Sequence, residues 1–200
     1  MNSRSNRTHS VPDRIVSVSQ PFVRPIVREK AGKPVEFGAK LDISVVDGWT
    51  RLECCSFDAY NEVGNLREMA ERFRARKGHY PSRILADKIY RNRENLSYCR
   101  AHGIRLSGPA LGSPKKGETR DKAQDYRDEC ERVEVKRRFS LAKRKCGMGL
   151  VTAKLRETAA HVIAMSVLVL NLRKIQRALL RMIAYLLEIL AQNKKWALVQ

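Results

Sequence analysis

Pro81-Ser82-Arg83-Ile84-Leu85-Ala86-Asp87-Lys88-Ile89-Tyr90 is the stretch on which the fold turns. Pro81 opens a strand over 82–86, and Asp87 stands where that apolar run ends. Arg93 to His102 follows with helical periodicity, turning Leu96 and Cys99 inward, and Gly103 stops it. Ile104-Arg105-Leu106 then reads as a second short strand. Strand, helix, strand is the order that favours parallel neighbours in one sheet.

Upstream, Ile15-Val16-Ser17-Val18-Ser19 alternates apolar with small polar residues, the pattern of a half-buried strand. Pro21, Pro25 and Pro34 surround a basic connector, 24–33, that cannot be a regular helix. Leu41-Asp42-Ile43-Ser44-Val45-Val46 runs into Asp47-Gly48, a two-residue hairpin signal, and 49–57 returns, so 39–57 is expected to be a β-hairpin. Leu66, Met69, Ala70 and Phe73 share one face of a helix that ends at Gly78. In this hairpin Asp42 is expected to face solvent or a nucleic acid.

Downstream, 108–120 is a basic linker rich in Gly and Pro. Residues 121–145 read as a long, charged helix, broken by Gly147 and Gly149. Residues 155–190 are helical and strongly apolar, as two helices or one kinked near Asn171. The organisation expected is a polar start (1–12), a sheet-and-helix part (13–107), the linker (108–120), C-terminal helices completing the core (121–190) and a tail (191–200).

The balance of 40 Lys plus Arg against 21 Asp plus Glu, a formal charge of +19, points to polyanionic partners, nucleic acid first. Five cysteines without framework spacing and a polar start with no signal-peptide core suit a reducing, cytoplasmic setting. Cys99 and His102 have metal-pair spacing but lack a matching second pair, so no structural zinc is expected. The longest uncharged run, 158–172, falls short of the ~18 residues that span a bilayer, and a buried core helix with no membrane partner is expected.

Asp87 is the sharpest candidate. Ligands in open α/β sheets gather beyond the carboxyl ends of strands, and a carboxylate there can bind Mg²⁺ through oxygen; the plainer reading is a turn or N-cap Asp before Lys88. Glu134 is a second candidate on the long helix, although Arg138 four residues on can simply pair with it. Asp47 is a weaker third, since the hairpin turn already explains it. Arg132, Lys136, Arg137, Arg138, Lys143, Arg144 and Lys145, with Lys88, form a cationic set suited to phosphates; a solvated charged face is the alternative.

At these residues the chain resembles bacterial insertion-sequence transposases of the DDE kind. Val35-Glu36-Phe37-Gly38-Ala39-Lys40, Leu85-Ala86-Asp87-Lys88-Ile89-Tyr90 and Phe139-Ser140-Leu141-Ala142-Lys143-Arg144-Lys145-Cys146-Gly147 carry the likeness. The resemblance implies an α/β fold, an RNase H-like mixed sheet, here truncated, with flanking helices and a long C-terminal helical segment. It implies Mg²⁺-dependent cleavage and strand transfer on transposon ends and target DNA, by a homo-oligomer in the intact family member. It makes Asp87 the second metal-binding acid. The third acid is expected in an Arg-x3-Glu-x6-Lys pattern. Arg132 and Lys143 fit it, but position 136 is Lys, and Glu129 stands where a Tyr is expected. Glu134 lies ~200° around the helix from position 136. The first acid is expected upstream of the chain. The reading is thus a catalytically incomplete transposase fragment. The alternatives are a non-catalytic basic DNA-binding remnant and a helix-mediated interaction protein.

Overall fold

In the computed structural model, which describes residues 14–27, 35–108 and 121–197 (side chains as far as Ala191), Asp47 and Gly48 form the expected turn. Both have positive φ, 52° and 71°, as a two-residue turn between right-twisted strands requires. Strands β1 (Pro25–Val27) and β2 (Val35–Phe37) pair antiparallel, and β3 (Lys40–Val46) and β4 (Trp49–Ser56) form the hairpin. Helix α1 (Asn65–Lys77) ends at Gly78, whose left-handed φ of 80° lets its N–H reach the Arg74 carbonyl. Strand β5 (Arg83–Ile84), helix α2 (Arg93–Ala101) and strand β6 (Arg105–Leu106) follow, with β5 and β6 parallel. Helix α3 (Lys122–Lys145) and helix α4 (Arg156–Ala197) complete the chain.

The strand–helix–strand reading therefore holds, but the described strands make three separate pairs, not one continuous sheet. Beside the hairpin the space is taken by helices, α3 against β3 and α4 against β4. The expected strand at 15–19 is not formed. The Ser17 hydroxyl accepts the Gln20 N–H, offering the backbone a turn in place of a ladder, and the Gln20 amide donates to the carbonyls of Val151 and Ala153 at 2.8 and 2.9 Å. This segment is thereby tied across the chain entering α4. The expected polar start at 1–12, nearly all of the linker at 108–120 and the side chains of the tail lie outside the described residues.

Two apolar cores organise the molecule. In the first, Phe57 of the hairpin's end and Val23 pack with Ala142 and Met148 at the end of α3 and with Ala159, Ile163, Val167 and Leu170 of α4. In the second, Leu66 and Ala70 of α1 meet Cys99 of α2 and Ile104 and Leu106 around β6, with Tyr80 and Tyr90 at its margin. Asn171 secures α4 to the hairpin through both halves of its amide, donating to the Thr50 carbonyl at 2.8 Å and accepting the Thr50 N–H at 2.9 Å.

Asp42 corrects the expectation that it faces outward: it is buried, and its carboxylate accepts a 2.6 Å hydrogen bond from the Asn65 amide. The register shift between Asp42 and Ile43 is the physical reason. Asp42 pairs with Cys54 and Ile43 with Leu52, leaving Glu53 as an extra residue. Glu53, also buried, meets Arg76 at 3.0 Å and the Ser44 hydroxyl at 2.6 Å. The bulge thus aims two acids of the hairpin at α1 and its start.

Helix α4 is one element, not two. Its stretch Arg156–Ala191 is long and apolar enough to cross a membrane by length and composition, which revises the expectation drawn from 158–172 alone. Only its first half is a core helix.

Ion pairs dock α3 on the parallel strands. Arg105 of β6 grips Asp128 with both terminal nitrogens, and Arg83 of β5 reaches Glu131 at 2.7 Å. The Arg105 guanidinium holds the Asp128 carboxyl below the usual carboxylate range. Asp128→Ala is expected to cost about 2 kcal/mol, discounted because Arg105 is half-exposed, and to lower the urea midpoint. The sign of the pH dependence follows from the depressed value. The contribution is present above the ordinary Asp pKa of ~3.9 and is lost as pH falls through the lower folded value. An unchanged midpoint would remove the docking role.

Candidate functional site

Asp87 lies three residues beyond β5, on the turn that begins a short 3-10 helix, Lys88–Tyr90. Its carboxylate accepts the Lys88 N–H at 2.7 Å, so the plain capping role is real. The same oxygen stands 3.2 Å from Nη1 of Arg132 on α3. Asp87 is therefore not remote from the basic helix. Its side chain is 62 % exposed and opens to solvent beside it.

Arg132 is shared. Its Nε and Nη2 donate to both oxygens of Glu129, at 3.1 and 2.6 Å. Hydrogen bonding from Arg132 holds the Glu129 carboxyl below its ordinary range, and the charge of Lys136 adds to the effect while that of Asp87 opposes it. Asp87, Glu129, Arg132 and Lys136 form one electrostatic neighbourhood. Glu129 was absent from the sequence-level candidates. Its three-residue spacing to Arg132 was the available signal.

Glu134 belongs to another neighbourhood. It accepts from Arg138 Nε at 2.8 Å and faces Arg137 at 3.8 Å. Arg138 leads to the hairpin turn: a Cβ added at Gly48 would lie 3.4 Å from its Nη2 and 3.1 Å from Lys174 Nζ. Lys174 sits 4.2 Å from the Trp49 ring centre and donates to the Asp47 carbonyl, while the Asp47 carboxylate is 3.9 Å from Lys77. Among the three candidate acids, Asp87 thus has Arg132 as its ion-pair partner, Glu134 has Arg138, and Asp47 has Lys77. No sequence pattern announced Lys174, because 127 residues separate it from Asp47.

The cations form an exposed run at the end of α3. Lys136, Arg137, Lys143, Arg144 and Lys145 are exposed, while Arg132 and Arg138 are half-buried by their carboxylate partners. Lys88 is exposed beside Asp87. Cys99 and His102 do not make a metal pair: Cys99 is in the second core, and the His102 ring packs 4.3 Å from Tyr80 and 4.5 Å from Tyr98.

A pair of divalent ions needs carboxylate oxygens from several elements. Asp87 already caps its turn and faces a guanidinium. Among the described residues, no three or more His, Cys, Asp or Glu side chains are grouped to hold a metal ion. With Lys136 adding positive charge to the same surface, these residues do not fit Mg²⁺.

The stretch that holds Asp87, Arg105 and the basic helix has a family signature. Residues 84–173 match the transposase DDE domain family. Over those residues the chain is similar to this family. No curated protein and no solved structure matches the chain. The DDE match begins within β5 and ends in α4, so it spans Asp87, all of α3 and the half of α4 that builds the first core.

Proposed function

We propose that this chain is a portion of a DDE transposase, RNase H-like in ancestry, that retains DNA binding and has lost its metal chemistry. The observation that carries the reading is the state of Asp87. In the resemblance it is a metal-binding acid; here its ion-pair partner is Arg132, and Lys136 stands where the third acid belongs. In the intact family member, Mg²⁺ would serve cleavage and strand transfer on transposon ends and target DNA. In this chain the basic end of α3 would hold phosphates, in the cytoplasm, without sequence readout by the same residues. Asp47 and Glu134 then act as counterions to lysine and arginine, with no catalytic part.

The test is a plasmid-nicking assay with purified protein in Mg²⁺ or Mn²⁺, alongside a duplex-binding assay in chelator. Binding in chelator with no nicking in either metal is expected. Nicking that Asp87→Ala abolishes would overturn the loss of metal chemistry, and failure to bind duplex DNA at low salt would overturn the DNA reading.

A further inference from the structure

Helix α4 is covered on one side only. Ala159, Ile163, Val167 and Leu170 turn into the first core, and Lys174, in line with them, donates to the Asp47 carbonyl at the hairpin turn. At ~100° per residue, the arc that continues this inward side carries Arg173, Lys174, Arg177, Arg181 and Glu188. The opposite arc, ~180° wide, carries Leu172, Ile175, Leu179, Met182, Leu186 and Leu190, each between 43 % and 59 % exposed. A surface helix of a soluble domain turns its apolar stripe to the body and its charges to water. In the distal half of α4 the two are reversed. The segments 1–13, 28–34 and 109–120 have Met1, Val11 and Leu111 as their only large apolar side chains, too few to cover this face.

From this reversal we infer that the distal half of α4 lies flat on an anionic lipid surface, its outward apolar arc among the acyl chains. Charge decides for lipid as the occupant. Between Asn171 and Lys195 the cations are Arg173, Lys174, Arg177, Arg181, Lys194 and Lys195, and Glu188 is the single acid. With the apolar arc down, the cationic arc stands about one helix diameter above the acyl boundary, ~10 Å, which is about one Debye length and close enough to feel anionic headgroups. Tyr185 lies at an edge of the apolar arc and Trp196 in the last turn of the helix, residue types that favour the headgroup level. An apolar face with a cationic face opposite is the pattern of a helix that lies in the membrane plane. Spanning is disfavoured. It would bury Arg177 and Arg181 in hydrocarbon or pull the first half of α4 out of the core.

None of the proposed phosphate contacts at the end of α3 belongs to this face, so lipid binding stands or falls separately from DNA binding.

The experiment is vesicle flotation of the full chain, nuclease-treated, with phosphatidylglycerol and with phosphatidylcholine vesicles. Partition into phosphatidylglycerol is expected to be roughly tenfold stronger or more. Leu179→Asn with Leu186→Asn leaves the charge unchanged. It is expected to weaken that partition by roughly tenfold to a hundredfold while keeping the helical circular dichroism of the parent. A parent that stays unbound, whether as single chains or as a multimer, overturns the lipid surface as occupant. So does a double variant that floats as the parent does, since adsorption is then by charge alone. Release by an alkaline carbonate wash is expected, and retention would mean a spanning helix and overturn the flat placement. If the double variant misfolds, fluorescence replaces it. Trp49 and Trp196 are the two tryptophans. In a Trp49→Phe background the Trp196 emission is expected to shift to the blue on adding phosphatidylglycerol vesicles, and an unmoved emission counts against lipid contact.

Discussion

A fourfold rise in salt, from about 50 to about 200 mM, is expected to weaken duplex DNA binding by roughly two orders of magnitude. The estimate follows from counterion release. If four cations at the end of α3 each neutralise one phosphate, the slope of log K against log salt is about −3.6, and fourfold more salt costs ~150-fold. Lys136, Lys143, Arg144 and Lys145 are the contributors, because they are exposed and lie outside the ion pairs that engage Arg132 and Arg138. Replacing Lys143, Arg144 and Lys145 together by Ala should bring the slope near −1 and leave only a few-fold salt effect. Fluorescence anisotropy on a labelled duplex measures both slopes. If the triple variant keeps the parent's slope, the phosphates are held elsewhere, and the basic end of α3 is a solvated face.

Lys136→Glu is expected to raise Mn²⁺ affinity by roughly tenfold to a hundredfold, measured by loss of the free-ion signal in electron spin resonance. The substitution changes the local charge by two units beside a dication, and in solvent-screened surroundings that shifts binding by this order. It would add a third carboxylate to the neighbourhood of Asp87 and Glu129, with Arg132 one turn earlier on the helix to orient the acids. Asp87→Ala in the Lys136→Glu background should abolish the gain. An equal gain without Asp87 would mean that the new site forms along α3 alone. No gain at all would show that Arg132 by itself, and not Lys136, keeps metal away. DNA binding should weaken only modestly, since one phosphate contact of several is lost.

The parallel strands and the hairpin were legible because short-range rules decide them. Asp47-Gly48 has the conformational freedom the turn needs, and the span from Pro81, before the first parallel strand, to Gly103, before the second, holds one α-helix. The strand expected at 15–19 failed because alternation says nothing about a partner, and the Ser17 hydroxyl supplied a competing hydrogen bond. Asp42 departs from its expected outward placement for a related reason. Period two fixes a face only while the register is unbroken, and the extra residue at Glu53 breaks it.

For the candidate site, sequence gave the identity of the unusual acid and of the lysine at 136, both as departures from a family pattern. It did not give the pairing of Asp87 with Arg132, 45 positions later, or the placement of Lys174 at the hairpin turn.

Chain chemistry alone determined the excess of positive charge, the turn, the helix ends and the apolar period of α4. Only the tertiary structure decided which cation answers each carboxylate and which half of α4 is left uncovered. The division is physical. Turns, caps and periodicity depend on neighbours within about four residues, whereas ion-pair choice and burial depend on elements that packing alone brings together.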